Sequence, residues 1–380
     1  MRPQRRHGDS MALAVVLAVL HLTVPLGSGH ASTLYVDDDA SPGSGDGSSE
    51  FPFSLISEGM DASVFGDTLA VRPGVYSEAL YVDMHDGTGM NSAAVIMKDG
   101  VVLRSTAGAD STTIEGLGVE AAIYFDECGP ETALIGFTIF TDWMGWGLRT
   151  SVLCYDSSPL IDSNVMVEWL DGIYCREWSA PSILNNTVGD GSIVFIGGSG
   201  GDVVGNTVEG HISVMIDEPG AFPVLIELNT IGVAGGNPAG ERDAIGIGVT
   251  SWGASGEVTL LGNTIQGKDV GAKLCLGILH GNRFLDNAVN IEIGVLAYCS
   301  PWEDIDAEAN WWGITDPLEI EARIVDCNDD PSLESCVDFD PWCLDENCTQ
   351  VPVRPSSWGA IKALYRSPRT GEPAQLRTLP

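Results

Sequence analysis

Acid–tryptophan neighbours are the side chains in this sequence with the clearest potential for chemistry. They occur at Asp142-Trp143, at Glu168-Trp169 followed by Asp171, and at Glu177-Trp178. Exposed indole rings can stack on the apolar faces of sugar rings, and carboxylates accept hydrogen bonds from hydroxyl groups. The pattern predicts glycan binding by Trp143, Trp169 and Trp178 on one flank of the protein. The alternative is that these indoles cover strand edges or pack beneath inserted loops.

Three carboxylates near these tryptophans, Asp142, Glu168 and Asp171, are weak candidates for catalytic acids. Glycoside hydrolysis requires two carboxyl groups about 5–5.5 Å or about 6.5–9.5 Å apart, one of them with a raised pKa. The sequence does not set these separations. A further stretch, "GGSGG" at 197–201, fits G-x-S-x-G by spacing, but no strand-to-helix elbow surrounds it and a flexible corner is expected there.

The elements that would position these side chains are marked by a recurring phrase of aliphatic residues, Asn, Thr and another aliphatic residue. "VVGNTVEG" at 203–210 and "LLGNTIQG" at 260–267 are its clearest copies. Steps of 22, 20, 23, 34 and 19 residues separate its marker asparagines, which are Asn164, Asn186, Asn206, Asn229, Asn263 and Asn282. A nearly constant step with an occasional long insertion is typical of a solenoid.

Short β-type runs fill the intervals between these asparagines, and helical periodicity is nearly absent. Three runs per repeat predict an all-β, right-handed parallel β-helix with three sheets. One coil cannot bury its own inward face, so coils stack about 4.8 Å apart and share one core. Asn is expected at the tight bend because it tolerates the left-handed backbone conformation and can form hydrogen bonds from coil to coil.

Both ends of the repeat region carry motifs of their own. The front contains Gly66-Asp67-Thr68 and Pro73-Gly74-Val75-Tyr76, after a short helix predicted near residues 54–62. The distinctive residues of the last coil are Asn310, Trp312, Gly313, Pro317, Ile324, Asp326, Val337, Phe339, Pro341 and Trp342. Together these motifs resemble exported bacterial β-helix repeat proteins of the pectin-lyase-like superfamily. The resemblance implies a capping helix at the N-terminal end and a terminal coil at the other.

The resemblance does not extend to a known activity of that superfamily. The polygalacturonase-like N-T-D motif reads Asn186-Thr187-Val188 and Asn206-Thr207-Val208 here, without its carboxylate. Pectin esterases share the Gly74-x-Tyr76-x-Glu78 pattern, but their other motifs are missing, as is a recognisable pectate-lyase set. The sequence therefore favours a non-catalytic protein for glycan binding or structural display. The alternative is a polysaccharide lyase or glycoside hydrolase with an unfamiliar carboxylate site.

The first 31 residues have the pattern of a secretory signal peptide. Arg2, Arg5 and Arg6 precede the apolar run "MALAVVLAVLHLTV", and Gly29-His30-Ala31 offers a cleavage site. We therefore expect a secreted, cell-surface or periplasmic protein without a transmembrane segment. The further boundaries expected are a cap and first coil at 32–80, coils at 81–312, a C-terminal cap at 313–348 and a basic tail at 349–380.

The chain of 380 residues is strongly acidic, with a formal net charge of −35. Loss of residues 1–31 removes three Arg and one Asp, so the charge of the remainder is −37. No basic surface can follow a phosphate backbone, and nucleic acid is not an expected partner. Because acidic polymers would be repelled, a neutral polysaccharide or cell-surface glycan is the expected ligand of a monomeric protein.

Four of the nine cysteines lie close together near the C-terminus, at Cys327, Cys336, Cys343 and Cys348. In an exported chain this density predicts disulfides, with Cys327–Cys336 and Cys343–Cys348 as the simplest pairing. Zinc is the alternative, although no C-x-x-C motif or nearby histidine supports it. The other five are expected to pack as small hydrophobic residues, with at least one free thiol; they are Cys128, Cys154, Cys175, Cys275 and Cys299.

An acidic, Gly-rich loop near the front offers weak candidates for a calcium site. Its carboxylates are Asp37, Asp38, Asp39 and Asp46, and their spacing is not that of an EF-hand loop. A solvated acidic turn is the alternative. Calcium is thus the one cofactor that we consider, and no other is expected.

Overall fold

The computed structural model describes residues 31–83, 90–142, 149–167, 171–232, 245–252, 256–294, 304–333 and 335–349. Within these ranges the chain is almost entirely β-structure, arranged in three mostly parallel sheets. The predicted parallel β-helix is therefore confirmed. No helix in the described ranges is long and apolar enough to cross a membrane.

The strands are short and follow one another closely along the chain. The first part contains β1 (Thr33–Val36), α1 (Ile56–Ala62), β2 (Thr68–Val71), β3 (Gly74–Ser77), β4 (Leu80–Asp83), β5 (Met90–Ile96), β6 (Val102–Ser105), a 3₁₀ turn (Ala109–Ser111), β7 (Thr112–Gly116) and β8 (Ala121–Asp126). The next part contains β9 (Ala133–Ile135), β10 (Thr138–Thr141), β11 (Thr150–Tyr155), β12 (Leu160–Asp162), β13 (Val165–Met166), β14 (Asp171–Arg176), β15 (Ser182–Leu184), β16 (Thr187–Val188), β17 (Ser192–Phe195), β18 (Gly201–Val204) and β19 (Thr207–Val208). The last part contains β20 (Ile212–Ile216), β21 (Val224–Glu227), β22 (Thr230–Ile231), β23 (Ile245–Ser251), β24 (Val258–Leu261), β25 (Thr264–Gln266), β26 (Val270–Leu274), β27 (Ile278–His280), β28 (Arg283–Leu285), β29 (Val289–Ile293), β30 (Ile305–Asp306), α2 (Pro317–Glu321), β31 (Ile324–Val325) and β32 (Val337–Asp338).

Each coil in the middle of the solenoid contributes one strand to each of the three sheets. The first sheet has the order β1-β2-β6-β9-β12-β15-β18-β21-β24-β27-β30-β32, and the second has the order β28-β25-β22-β19-β16-β13-β10-β7-β3. The third sheet has the order β31-β29-β26-β23-β20-β17-β14-β11-β8-β5-β4, with β4 and β5 antiparallel. The chain runs from the third sheet to the first and then to the second. Inward-facing aliphatic residues from all three sheets form one continuous core.

At the marker asparagines, the corners between the first and second sheets are two residues long, and their backbone differs from the prediction. The first residue of the pair has the positive φ, as in Asn185 (53°), Gly205 (68°) and Leu228 (55°). The marker asparagine is the second residue, so the prediction that it takes the left-handed conformation is wrong. Glycine at the first position, as in Gly205, removes the steric cost of that conformation.

The marker asparagines instead form a buried hydrogen-bond ladder. The Asn186 N–H donates to Oδ1 of Asn206 over 2.8 Å, and Nδ2 of Asn186 donates to the Ile161 carbonyl over 2.9 Å. The pattern repeats through all six marker asparagines, beginning at the Phe137 N–H and reaching Asn310. Because these amides are 0–1% exposed, the ladder satisfies polar groups that burial would otherwise penalise.

The front motifs serve the N-terminal cap. The Glu78 carboxylate accepts hydrogen bonds from the N–H groups of Ile56 (2.7 Å) and Ser57 (3.2 Å), at the start of α1. The Asp67 carboxylate accepts from the N–H groups of Ser32 and Val64, both over 2.9 Å. These contacts hold α1 over the open apolar end of the solenoid, so the shared G-x-Y-x-E pattern has a structural role here.

The C-terminal cap closes the other end of the core. The Trp312 ring stacks on Phe284 with centroids 4.9 Å apart, and both side chains are buried. Beyond them lie two disulfides, Cys327–Cys336 and Cys343–Cys348, with Cα–Cα distances of 5.0 and 4.8 Å. This is the pairing that the sequence predicts.

The remaining cysteines divide between two states. Cys275 is buried, as expected, but it is also disulfide-bonded, which the sequence did not predict. Cys128, Cys154 and Cys175 are free and buried, as expected for small hydrophobic residues. Burial raises the pKa of the Cys128 thiol to about 12 and that of Cys154 well above its usual value, so both stay protonated. Cys299 lies outside the described residues.

Candidate functional site

The structure describes one of the three tryptophans predicted to bind glycan. Trp178 follows β14 at the corner between the third and first sheets, where its side chain is 38% exposed. Its φ of 63° is uncommon for a bulky residue. Trp143 and Trp169 lie outside the described residues, in sequence segments between the second and third sheets. Their placement on a common flank with Trp178 stays a prediction.

Trp178 belongs to a group of exposed aromatic residues that we call the aromatic corner: Trp178, Phe222 and Trp252. The Trp178 and Phe222 rings meet edge to face with centroids 6.2 Å apart. Phe222 is 42% and Trp252 58% exposed. All three follow third-sheet strands at the same corner: Trp178 follows β14, Phe222 follows β20 two coils further on, and Trp252 follows β23 on the next coil. Three coil steps of about 4.8 Å separate Trp178 from Trp252, a rise of about 14 Å.

The glycine-rich stretch at 197–201 shapes this corner. Gly197 and Gly198 have φ values of 62° and 73°, and a Cβ on Gly198 would lie 2.9 Å from the Trp178 indole. Both glycine N–H groups donate to the Asp217 carboxylate over 3.2 Å. Ser199 is buried and accepts a hydrogen bond from the Ser179 N–H, so it serves the turn and is not an exposed nucleophile.

A row of carboxylates leads along the same corner towards Trp178. Glu127, Asp156 and Glu177 occupy equivalent positions, because the residues before them are register neighbours on β8, β11 and β14. All three have positive φ values, between 43° and 53°. Sequence reasoning missed this row. The row could have been found from the sequence, because an acidic residue follows each of these three strands and a small residue stands one or two positions later.

The outer face of the third sheet carries a second apolar cluster, separate from the core. It contains Ala93, Ala121, Tyr124 and Leu153, with Tyr155 and Tyr174 packed against it. Burial, followed by the nearby Asp126 carboxylate, raises the pKa of Tyr124 above its usual value. The Tyr124 hydroxyl makes no hydrogen bond of ordinary geometry with a described residue. The Arg176 guanidinium lies 5.4 Å from the centroid of the Tyr155 ring.

The predicted catalytic carboxylates differ in their surroundings. Asp171 is the first residue of β14, and burial raises the pKa of its carboxyl group. A raised pKa is what a general acid requires. Asp142 is exposed, and its carboxylate accepts the Gly118 N–H over 2.9 Å. Glu168 lies outside the described residues.

A serine and a histidine that sequence reasoning did not select lie in the same row as Asp171. Ser192 is the register neighbour of Asp171, and its hydroxyl lies 2.9 Å from Nδ1 of His211. A nucleophilic relay needs the imidazole between hydroxyl and carboxylate. Here the hydroxyl residue lies between the other two, so the row does not have relay geometry.

The fold places three of the four candidate calcium ligands close to one another. Ligand atoms of Asp37, Asp38 and Asp39 lie within 4.8 Å of one another, whereas Asp46 is not in this group. The Asp37 carboxylate already pairs with Arg72 over 2.8 Å, and Asp38 accepts the Val75 N–H over 2.8 Å. These contacts use the carboxylates within the N-terminal cap, and calcium binding stays a prediction.

Comparisons with known proteins give the following. No protein-family model matches the chain, and no curated protein matches it. A solved rhamnogalacturonan lyase is similar at 15% identity and a TM-score of 0.35, over 72% of this chain and 76% of the lyase chain. The A-module of the Azotobacter vinelandii mannuronan C-5 epimerase AlgE6 is similar at 12% identity and a TM-score of 0.29, over 76% of this chain and 92% of that module. Similarity at this level assigns no activity to the chain.

Proposed function

We propose that this protein binds a neutral glycan at the aromatic corner and acts as a rigid, non-catalytic binding protein. The observation that supports it is the exposed edge-to-face contact of Trp178 with Phe222, continued by Trp252 on the coil after that of Phe222. Large aromatic side chains grouped on a surface favour a ligand, because each ring removed from water lowers the free energy of the complex. A row of rings along one corner suits an extended chain of sugar rings.

The charge of the corner favours a neutral ligand. Glu177 stands beside Trp178, and Asp156 and Glu127 continue the row of carboxylates. These groups accept hydrogen bonds from hydroxyls and repel carboxylate or sulfate groups on a ligand. The net charge of −35 acts in the same direction.

Three further features belong to the proposal. The two disulfides of the C-terminal cap support an oxidising compartment, and we therefore propose export to the cell surface, the periplasm or the medium. Trp143 and Trp169 are proposed as additional glycan contacts. The protein is proposed to act as a monomer.

A glycan array followed by titration calorimetry tests the proposal. The variants Trp178→Ala and Phe222→Ala should each weaken binding of the best neutral glycan at least tenfold, because an aromatic ring that stacks on a sugar ring is lost. Tyr81→Ala removes an aromatic side chain that is 75% exposed on β4, far from the aromatic corner in the order of coils, and it should leave binding unchanged. Equal binding by all variants and the wild type would contradict the proposal.

The environment of Asp171 supports an enzymatic function as the second candidate. The raised pKa of Asp171, which lies near the partly buried Tyr174, suits an acid in a polysaccharide lyase or glycoside hydrolase. Release of reducing or unsaturated ends from a polysaccharide panel would favour this function. The activity should then disappear in Asp171→Asn and persist in Trp178→Ala.

A further inference from the structure

A recess opens between the coil that carries Phe222 and the next coil. Ala221, Pro223, Gly256 and Glu257 line it, and its volume is about 310 Å³. Val224 and Val258 are register neighbours on β21 and β24, and the Val224 N–H donates to the Glu257 carbonyl over 2.9 Å. The sheet therefore holds the two walls of the recess at a fixed separation.

The recess is close to the aromatic corner and small enough for one sugar unit. Phe222 stands in the chain between two of its lining residues, Ala221 and Pro223. Its volume is at the lower end of the range of about 300–1,000 Å³ for ligand sites. A glycan that stacks on Phe222 would thus place one of its sugar units at the recess.

The lining chemistry combines apolar walls with one acid. Ala221, Pro223 and Gly256 offer no side-chain donor, and Glu257 is exposed. No lysine or arginine is among the described residues that line the recess, and the preceding corner residues Asp217 and Glu218 are also acids. A carboxylate accepts hydrogen bonds from hydroxyl groups and disfavours a second carboxylate nearby.

We infer that this recess is a subsite for one neutral sugar unit and that Glu257 sets its selectivity against uronic acids. The inference rests on the proposed glycan binding at the aromatic corner. A hydroxymethyl or ring hydroxyl group of the sugar donates a hydrogen bond to the Glu257 carboxylate. A uronate at the same position brings two like charges together where no described cation neutralises them.

The test compares neutral and oxidised oligosaccharides of equal length by titration calorimetry. Cellohexaose and mannohexaose are used with their C6-oxidised forms, on the wild type, on Glu257→Gln and on the matched control Glu319→Gln. Glu319 is an exposed residue of α2 in the C-terminal cap. We expect the wild type and the control to prefer the neutral form at least tenfold, and Glu257→Gln to prefer it threefold or less.

Each other outcome is informative. Unchanged selectivity in Glu257→Gln would overturn the subsite while glycan binding at the aromatic corner stands. Equal loss of selectivity in Glu257→Gln and Glu319→Gln would also overturn it, because the effect would then follow overall charge. If the wild type binds neither neutral hexasaccharide nor any neutral glycan of the array, the proposed function itself fails.

Discussion

The Lys268 ammonium group donates a hydrogen bond to the carbonyl oxygen of Gly210 over 2.7 Å, and a second to that of Glu209 over 2.8 Å. Lys268 and Gly210 belong to coils on either side of the coil that contains Gly232. A Cβ on Gly232 would lie 2.9 Å from Cε of Lys268, so the lysine side chain passes directly over that glycine. The lysine thus links two coils across the point where the intervening coil extends into the long connection from β22 to β23.

Replacing Lys268 with Met should destabilise the solenoid. The substitution keeps the apolar stem but leaves two carbonyl groups without their charged donor, at a cost of about 1–3 kcal/mol. Chemical denaturation measures the change. Lys273→Met is the control, because Lys273 pairs with Glu292 at a partly exposed site where a lost ion pair costs about 1 kcal/mol or less. Equal effects of the two substitutions would contradict the bridging role.

The asparagine ladder should be sensitive to a single interruption. In Asn206→Leu the side chain can neither donate to the Ile183 carbonyl nor accept from the Asn186 N–H. We expect a loss of about 1–3 kcal/mol in the free energy of unfolding. Thr207→Val, at the exposed neighbouring position, should change it by about 0.5 kcal/mol or less. Glycan binding by the folded fraction should persist; its loss without a change in stability would assign Asn206 to the binding site.

The N-terminal cap should weaken in acid because of Asp67. Burial acts to raise the pKa of this carboxyl group, but hydrogen bonds from Ser32 and Val64 outweigh burial and lower it. A lowered folded-state pKa stabilises the fold above the unfolded-state pKa, and the stabilisation is lost as the pH falls through the folded-state pKa. Asp67→Asn should therefore unfold more easily than the wild type near pH 6, with a smaller difference near pH 3. An unchanged difference between these two pH values would contradict this linkage.

The Asp67 carboxylate should also make stability depend on whether the chain is cleaved after Ala31. If cleavage follows Ala31, the Ser32 nitrogen that donates to Asp67 over 2.9 Å becomes a charged ammonium group. A hydrogen bond to a charged group is worth about 1.5–3 kcal/mol. A chain that begins at Ser32 should therefore melt at a higher temperature than one that retains Ala31. The difference should disappear in Asp67→Asn, and its persistence there would show another cause.

Much of the fold could be predicted from the sequence because it is repeated and local. Each coil needs inward aliphatic residues and a tight corner, and both needs recur in the phrase around Asn206 and Asn263. The pairing Cys327–Cys336 could also be predicted, since the two residues are close in the chain. The backbone of the corner could not, because both Asn185 and Asn186 are compatible with the left-handed conformation, and only the ladder selects which residue turns its amide inward.

The candidate site could not be predicted from the sequence, because its residues come together only when the coils stack. Trp178 stands out in the sequence beside Glu177, but nothing local relates it to Phe222 or to the acid row of Glu127 and Asp156. The length of the connection between β20 and β21 determines where Phe222 lies at the corner. The sheet register then places the centroid of its ring 6.2 Å from that of Trp178. Contacts between residues in different coils depend on the lengths of all the connections between them. The repeat phrase therefore determined the β-helix, and tertiary structure decided which side chains meet on its surface.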